Sequence, residues 1–248
     1  MGKISVFGGA LTGPFWQSIE PLGDQGLLAR FCNEEAALAW SLAAREKLPA
    51  KWEIVASYRT VAVFACMTNQ SRLELEERLG LIAPSNGAST GRLIEIPCCY
   101  SLGPDLEEAA KALHTDGASL ARMHAGAEYT VFAIGFVPGF PYMGWLTDGM
   151  SGLDRLPSPR TRVPAGSVGI TGRQTGIYPA EVPGGWRLIG RTPCILADLT
   201  EGESGWFALR PGDRCAARKH QEQGNDKEIA KSSNQIYRFH PPDGLIET

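Results

Sequence analysis

The sequence predicts an α+β protein with two domains, the first of alternating strands and helices and the second built mainly of short strands. Apolar runs and capped helical segments alternate up to residue 99. Residues 135–191 then contain 12 glycines and 7 prolines, and helices do not persist at that density. With 248 residues, of which 43% are apolar, the chain can bury one large core or two smaller ones.

The N-terminal domain is predicted at residues 16–99. Asn33 is a suitable N-cap for a helix that continues to Leu48, because Glu34 and Glu35 follow it in the first turn. The other predicted elements are strands at 26–31, 52–58, 61–67 and 92–98 and a second helix at 71–79. The resulting β-α-β-β-α-β order is that of the ferredoxin-like split unit.

The second domain is predicted at residues 100–218. Two short helices come first, at 105–114 with Asp105 as the cap and at 117–125. Strand-like segments follow at 129–134, 168–171, 186–189 and 194–199, with glycine and proline between them. This pattern favours a closed or nearly closed β-barrel. Residues 219–248 are mostly polar, so we expect a solvated C-terminal tail.

Composition and charge exclude several classes of protein. No window approaches about 18 consecutive apolar residues, so no membrane-spanning helix is predicted, and the N-terminus makes a poor signal peptide. A net charge of −3 argues against a general nucleic-acid binder. The six cysteines form no C-x-x-C pair and the four histidines are scattered, so no metal-ligand cluster is visible. We expect a cytoplasmic protein with reduced thiols that act as small hydrophobic side chains.

Positive charge collects where the glycines are densest. Residues 135–191 hold six arginines and three acids. Prolines flank Arg160 and Arg162 and force an extended backbone, which places the two guanidinium groups on one face about 6.6 Å apart along the strand. Such a pair suits a carboxylate or phosphoryl group. The alternative is that both arginines pair with acids elsewhere or lie in solvent.

Polar and glycine-rich segments follow this pair. Gly166 and Ser167 belong to a turn whose backbone N–H groups could approach a ligand, although the segment is neither a phosphate loop nor a nucleophile elbow. Gln174 and Tyr178 add an amide and a phenol, and Trp186 adds an indole next to a tight turn. Together with the arginines they predict a concave polar binding site.

His124 is the candidate acid–base residue. It lies in the last turn of the second short helix, where the helix dipole favours a charged imidazole. That position allows proton transfer to a ligand. The alternative is a capping or plain surface role.

Several motifs resemble one bacterial family. Residues 135–144, Gly-Phe-Val-Pro-Gly-Phe-Pro-Tyr-Met-Gly, match its G-F-x-P-G-F-x-Y-x-G signature, and residues 159–170, 174–179 and 183–193 match further motifs in order. The chain is therefore similar, over about residues 19–214, to the family named after KipI, allophanate hydrolase subunit 1 or the B subunit of 5-oxoprolinase. This resemblance implies a ferredoxin-like N-terminal domain and a cyclophilin-like β-barrel. It adds Tyr142 and Arg191, both within matched motifs, to the candidate substrate-binding residues.

The resemblance implies an ATP-dependent 5-oxoprolinase that opens pyroglutamate to glutamate. This chain would act with a subunit-C-like partner of cyclophilin-like architecture and with a third subunit, and ATP would bind to this chain or elsewhere in the complex. Arg160 and Arg162 would hold the carboxylate or phosphoryl oxygens while His124 transfers protons. We expect the isolated chain to be inactive, because it has no phosphate loop, metal cluster or nucleophile–base pair.

Two other functions are compatible with the resemblance. One is a regulatory protein that inhibits a sensor histidine kinase and needs only a partner surface. The other is a carboxyltransferase-like subunit, since urea carboxylase contains domains that resemble this family. The chain departs from the family at Arg214–Lys219, which lacks apolar alternation where the family has an apolar strand. Closure of the barrel depends on what replaces that strand.

Overall fold

The computed structural model describes residues 5–7, 10–12, 15–24, 26–64, 72–84, 91–200, 206–219 and 237–238. The chain divides into two compact units. The first consists of Met1–Arg92 with the short pieces Phe132–Ile134 and Pro211–Asp213, and the second consists of the remaining chain from Leu93 onward. The boundary therefore lies between Arg92 and Leu93, at the start of the strand that the sequence analysis assigned to the first domain.

The first unit contains one antiparallel sheet and two helices. Its strands are β1 (Ser5–Phe7), β2 (Ala10–Thr12), β3 (Ser18–Leu22), β4 (Gly26–Arg30), β5 (Glu53–Ser57) and β6 (Thr60–Phe64), and its helices are α1 (Glu34–Lys47) and α2 (Arg72–Gly80). The sheet order is β1-β2-β3-β4-β6-β5. Asn33 caps α1 as predicted, since its side chain accepts a hydrogen bond from the backbone N–H of Ala36 at 2.8 Å. Trp40 of α1 is fully buried against the sheet core. Residues 65–67 of the predicted hairpin, which include Cys66, lie outside the described residues.

The second unit is built mainly of short strands with two helices. Its strands are β7 (Leu93–Cys98), β8 (Tyr129–Ile134, whose last three residues count with the first unit), β9 (Pro141–Gly144), β10 (Arg160–Val163), β11 (Ser167–Thr171), β12 (Gln174–Ile177), β13 (Val182–Gly184), β14 (Arg187–Arg191), β15 (Cys194–Ile195), β16 (Ala197–Asp198), β17 (Trp206–Phe207), β18 (Arg214–Lys219) and β19 (Tyr237–Arg238). The helices are α3 (Leu106–Ala112) and α4 (Gly117–Ala125), close to their predicted positions.

A nearly closed, barrel-like sheet organises this unit. Seven strands run in the order β14-β11-β12-β9-β8-β18-β7. The two edge strands approach each other at Cys99 and Arg191, whose backbones exchange hydrogen bonds of 2.8 and 2.9 Å. This bridge joins β14 to the residue that follows β7. The predicted barrel is thus confirmed as a nearly closed sheet.

The ferredoxin-like prediction for the N-terminal domain is not confirmed. The strand expected to complete it, β7, instead pairs in parallel with β18 from Leu93↔Arg214 to Cys98↔Lys219. In the sheet of the first unit, β3 lies next to β4, and β2 and β1 follow it to the edge of the sheet. A parallel partner more than a hundred residues away leaves no signal in the local sequence, which explains the difference.

Strand β18 occupies the segment that departs from the family pattern. Despite its lack of apolar alternation, it pairs with β7 on one side and with β8 on the other. Cys215, Ala216 and Ala217 are consecutive buried residues within it. Successive strand residues face opposite sides, so small side chains fill both faces of this central strand. The expected polar tail also contributes structure, because β19 pairs in parallel with β15.

Candidate functional site

A pocket of about 240 Å³ opens in the second unit beside β9 and β13. Its lining consists of five aromatic residues, two prolines, two glycines and one arginine: Phe136, Phe140, Tyr142, Tyr178, Trp186, Pro159, Pro183, Gly184, Gly185 and Arg155. This lining contains one charged side chain, which is cationic, and no acid. The arrangement is that of a small-molecule site, with apolar walls and few polar groups.

The turn between β8 and β9 places Phe136 at the pocket. Its backbone is held by hydrogen bonds from Val137 N to Gly135 O at 2.8 Å and from Phe140 N to Val137 O at 3.1 Å. Phe136 has a φ of +67° and a side chain that is 59% exposed. A bulky residue in the left-handed region is strained by about 1–3 kcal/mol, and such strain concentrates at ligand sites.

Phe140, Tyr142, Tyr178 and Trp186 form an aromatic wall of the pocket, with Phe140 at its centre. The Phe140 ring lies edge-on to Tyr142 at 4.9 Å, to Tyr178 at 5.0 Å and to Trp186 at 5.5 Å between centroids. Edge-to-face pairs of this kind add about 0.5–1.5 kcal/mol each beyond the area they bury. Phe140, Tyr178 and Trp186 are almost fully buried. The wall is therefore rigid before any ligand arrives.

The 183–186 turn packs directly on Tyr178. A Cβ atom on Gly184 would lie 2.5 Å from the Tyr178 hydroxyl oxygen, so no larger residue fits there without displacing the ring. Burial raises the pKa of Tyr178, and the backbone N–H of Trp186 and the charge of Arg155 offset this only in part. The phenol is consequently neutral at physiological pH.

Five of the six arginines between residues 135 and 191 have fixed partners. These are Arg160 with Asp105, Arg162 with Glu181, Arg187 with Glu108, Arg191 with the carbonyl of Ala165, and Arg173 over the ring of Trp145. Arg155 forms no ion pair with an acid and no hydrogen bond to a carbonyl among the residues that the structure describes, and its charge contributes to the electrostatics of Tyr178. The cation left free to meet a ligand in this segment is therefore the one that lines the pocket.

Arg160 and Arg162 each pair with an acid in this structure. Arg160 Nη2 lies 2.5 Å from Oδ1 of buried Asp105, whose Oδ2 accepts from the backbone N–H of Leu188 at 2.7 Å. Asp105 therefore joins β10 to β14, although the sequence assigned it to capping a helix. Arg162 is 79% exposed and pairs with Glu181 at 2.8 Å. Both arginines adopt the alternative of pairing with acids.

His124 is buried in the core of the second unit, with 1% of its surface exposed. Its Nδ1 is 2.7 Å from the hydroxyl of Tyr100, and its Nε2 is 2.8 Å from Oγ1 of Thr175. Burial lowers the pKa of His124 to about 4, so the ring is neutral at pH 7. It does not line the pocket, and both ring nitrogens are already used. Its proton-transfer role stays a prediction, while its contacts are those of a structural residue.

Three other candidate residues from the sequence lie outside the pocket lining, near the backbone that carries Tyr178. Gly166, with a φ of +79°, donates its N–H to the carbonyl of Tyr178 at 2.7 Å, and Tyr178 N donates to Ser167 O at 2.9 Å. The hydroxyl of buried Ser167 donates to Pro164 O at 2.7 Å. Gln174 is a half-buried residue of β12 paired with Gly144. These contacts fix the backbone that carries Tyr178, and none of the three residues lines the pocket.

Comparison with known proteins places the chain in a family. The family model described as carboxyltransferase domain, subdomain C and D, matches residues 17–206. A protein of Bacillus subtilis (strain 168), named as the B subunit of 5-oxoprolinase, is 37% identical over 218 residues, which cover 79% of this chain and 89% of that protein. The chain belongs to the B-subunit family of 5-oxoprolinase.

Solved structures of other proteins share the fold. TTHA0988 superimposes with a TM-score of 0.71 at 33% identity, covering 80% of this chain but 41% of TTHA0988, so the chain spans less than half of that protein. The Kluyveromyces lactis urea carboxylase superimposes with a TM-score of 0.63 at 17% identity over 86% of this chain and 22% of the enzyme. That second likeness concerns the fold alone.

The signature of this 5-oxoprolinase family builds much of the pocket. Of the residues predicted from the sequence, the structure brings Tyr142, Tyr178 and Trp186 together in its lining. Sequence reasoning missed Phe136 and Phe140, although the signature contains both, because only the tyrosine in it has a polar group. It also missed the arginine at 155, since six arginines look alike in a charge count and only their pairing separates them.

Two further findings concern groups beyond the pocket. Among the described residues, no three His, Cys, Asp or Glu side chains lie close enough together to hold a metal ion. The described part of the chain likewise contains no helix of the length and hydropathy needed to cross a bilayer.

Proposed function

We propose that this chain is one subunit of an ATP-dependent 5-oxoprolinase, a hydrolase complex that opens the lactam of pyroglutamate to give glutamate. The observation that carries the proposal is the 37% identity to a protein named as the B subunit of 5-oxoprolinase, over 89% of that protein's length. A small pocket formed by the family signature supports the same conclusion. The relatives are subunits of 5-oxoprolinase by their name, and 5-oxoprolinase is a hydrolase.

Lactam opening defines what the complex must supply. An unstrained amide carbonyl resists water, and ATP can activate it by phosphorylating the carbonyl oxygen. This pocket is small for ATP, because a volume of about 240 Å³ with a single guanidinium offers little space and charge for a triphosphate. We therefore propose that ATP binds outside this pocket, either on this chain or elsewhere in the complex.

The residues of this chain have a binding and orienting role in the proposal. The aromatic wall excludes water from a bound ring, which strengthens the electrostatic contacts made within the pocket. Tyr178 is neutral and buried, so it supplies a fixed, uncharged ring to the wall of the pocket. Arg160 and Asp105 hold β10 and β14 in place behind Trp186, whose carbonyl lies 3.5 Å from Arg160 Nη1.

Reconstitution tests this function. The three purified subunits, mixed with pyroglutamate and ATP, should release ADP and glutamate in equal amounts, and omission of this chain should abolish glutamate release. The chain alone should show no turnover, because its sequence has no phosphate loop and no nucleophile–base pair. Absence of pyroglutamate-dependent turnover by the complete mixture would reject the proposal. Inhibition of a purified sensor histidine kinase by the same preparation would then favour the regulatory alternative.

A further inference from the structure

Arg155 lines the pocket from a fixed backbone. The backbone on both sides of it is anchored, because Gly172 N donates to Leu153 O at 2.6 Å and Leu156 N donates to Gly185 O at 2.7 Å. Its Cβ lies close to Gly185, the residue that lines the pocket beside Trp186. The guanidinium itself has no acid partner among the described residues. The fixed backbone reduces the entropy lost when an anion binds, and no existing ion pair has to break first.

The electrostatics of the pocket select a ligand with one negative charge. Arg155 is the charged member of the lining, which has no carboxylate to compete for it, and Tyr178 stays neutral. A guanidinium recognises a carboxylate through two parallel hydrogen bonds, and the surrounding apolar walls lower the local dielectric. The pocket therefore discriminates by charge as well as by shape.

The walls select a small flat ring. Phe140, Tyr142 and Trp186 present ring faces and edges around a volume of about 240 Å³, which is below the usual range for drug-sized ligands. Phe136 stands at the exposed side, edge-on to Phe140 at 5.6 Å and to Tyr178 at 6.5 Å. A five-membered ring fits this space, whereas a nucleotide does not.

We propose that this pocket is the binding site for the five-membered lactam carboxylate, with Arg155 as the residue that selects its carboxylate. This inference rests on the proposed function and deepens it, because it assigns substrate recognition to this chain and to one residue. The ring lies against the Phe140 aromatic wall, and the carboxylate faces the mouth at Arg155. Arg160 and Arg162 take no part in binding.

The decisive experiment compares Arg155→Gln with Arg122→Gln in the reconstituted complex. Arg122 is exposed on α4 and donates to Ser119, so its loss removes the same charge away from the pocket. We expect Arg155→Gln to lower kcat/KM for pyroglutamate at least tenfold while the KM for ATP changes less than twofold. Arg122→Gln should match the parent. Equal kinetics for Arg155→Gln and the parent would overturn the assignment and leave the proposed function standing.

Calorimetry on the purified full chain gives a second, independent readout. The parent should bind L-pyroglutamate at least tenfold more tightly than pyroglutamide, which has the same ring without the charge, and Arg155→Gln should lose this preference. A loss of the preference in Arg162→Gln instead would return the anion site to the Arg160–Arg162 strand and refute the inference. If the complex shows no turnover, the proposed function fails, and the calorimetry alone tests the binding site. If the parent then binds pyroglutamate no more tightly than pyroglutamide, the assignment of the binding site is rejected.

Discussion

The guanidinium of Arg160 lies 2.5 Å from Asp105, a carboxylate that is only 5% exposed and that also accepts the backbone N–H of Leu188. The pair links β10, the start of α3 and β14. A buried carboxylate needs such partners, since an unpaired charge in the interior is strongly destabilising. Arg160 is thus part of the scaffold behind the pocket.

Replacing Arg160 should destabilise the fold, whereas replacing Arg162 should not. Arg160→Gln leaves the Asp105 charge uncompensated, and we expect a loss of about 2–4 kcal/mol in the free energy of unfolding. Arg162→Gln breaks an exposed pair and should change this quantity by less than about 1 kcal/mol. Urea denaturation at pH 7 measures both. Similar losses in the two variants would contradict the structural role of the Asp105 pair.

Burial of His124 predicts a loss of stability in mild acid. The unfolded ring takes up a proton near pH 6.5, but the folded ring does so only near pH 4. Between these values the unfolded state binds more protons, so stability falls as the pH falls, by roughly 3 kcal/mol in total. His124→Gln should therefore flatten the decline of unfolding free energy between pH 6.5 and 4.5.

His114 provides the control for that measurement. It is exposed, and its φ of +56° is one that asparagine tolerates. His114→Asn should keep the pH dependence of the parent. If the unfolding free energy of His124→Gln falls with pH as steeply as that of the parent, the pKa of His124 is not lowered in the folded state, and its buried, hydrogen-bonded position does not control that pKa.

Gly184 should tolerate no side chain. The added methyl of Gly184→Ala would lie 2.5 Å from the Tyr178 hydroxyl, so the phenol must move into the pocket or away from it. We expect the KM for pyroglutamate to rise at least fivefold and the melting temperature to fall by several degrees. Gly149→Ala, whose new methyl would be 3.5 Å from the Met123 sulfur, should change neither quantity. Normal kinetics in Gly184→Ala would separate Tyr178 from substrate binding.

Phe136 should show opposite effects on stability and function. Asparagine adopts a φ of +67° with less strain than phenylalanine, and the ring is 59% exposed, so Phe136→Asn should keep or raise the melting temperature. The same change removes an aromatic edge from the pocket and should raise the KM for pyroglutamate severalfold. A drop in melting temperature with unchanged KM would show instead that Phe136 serves the fold.

Local signals in the sequence were sufficient for the helices and for part of the pocket. Asp116 caps α4 through the N–H of Ser119 at 2.7 Å, and the observed bounds of that helix agree with the prediction. Tyr178 and Trp186 were selected because they stand next to glycine-rich turns, and Tyr142 because it belongs to a matched motif; all three line the pocket. Such features involve neighbours within a few residues, which a single sequence displays directly.

Long-range pairing accounts for what the sequence could not show. Strand β7 was assigned to the wrong sheet because its partner β18 lies far along the chain and lacks an alternating pattern. The arginine at 155 was overlooked for a related reason. Arg160 pairs with Asp105, which lies 55 residues away, and only the folded chain shows which of the six arginines has no acid, carbonyl or ring contact among the described residues.

The parallel pairing of β7 with β18 also has a consequence for biosynthesis. The paired residues are separated by about 120 positions, from Leu93↔Arg214 to Cys98↔Lys219, with β8 on the other side of β18. During translation, β7 and β8 leave the ribosome well before β18 is made, and the gap between them stays unfilled for several seconds at the usual rate of synthesis. The nascent second unit therefore exposes two strand edges until β18 is made, and a chaperone would act during this interval.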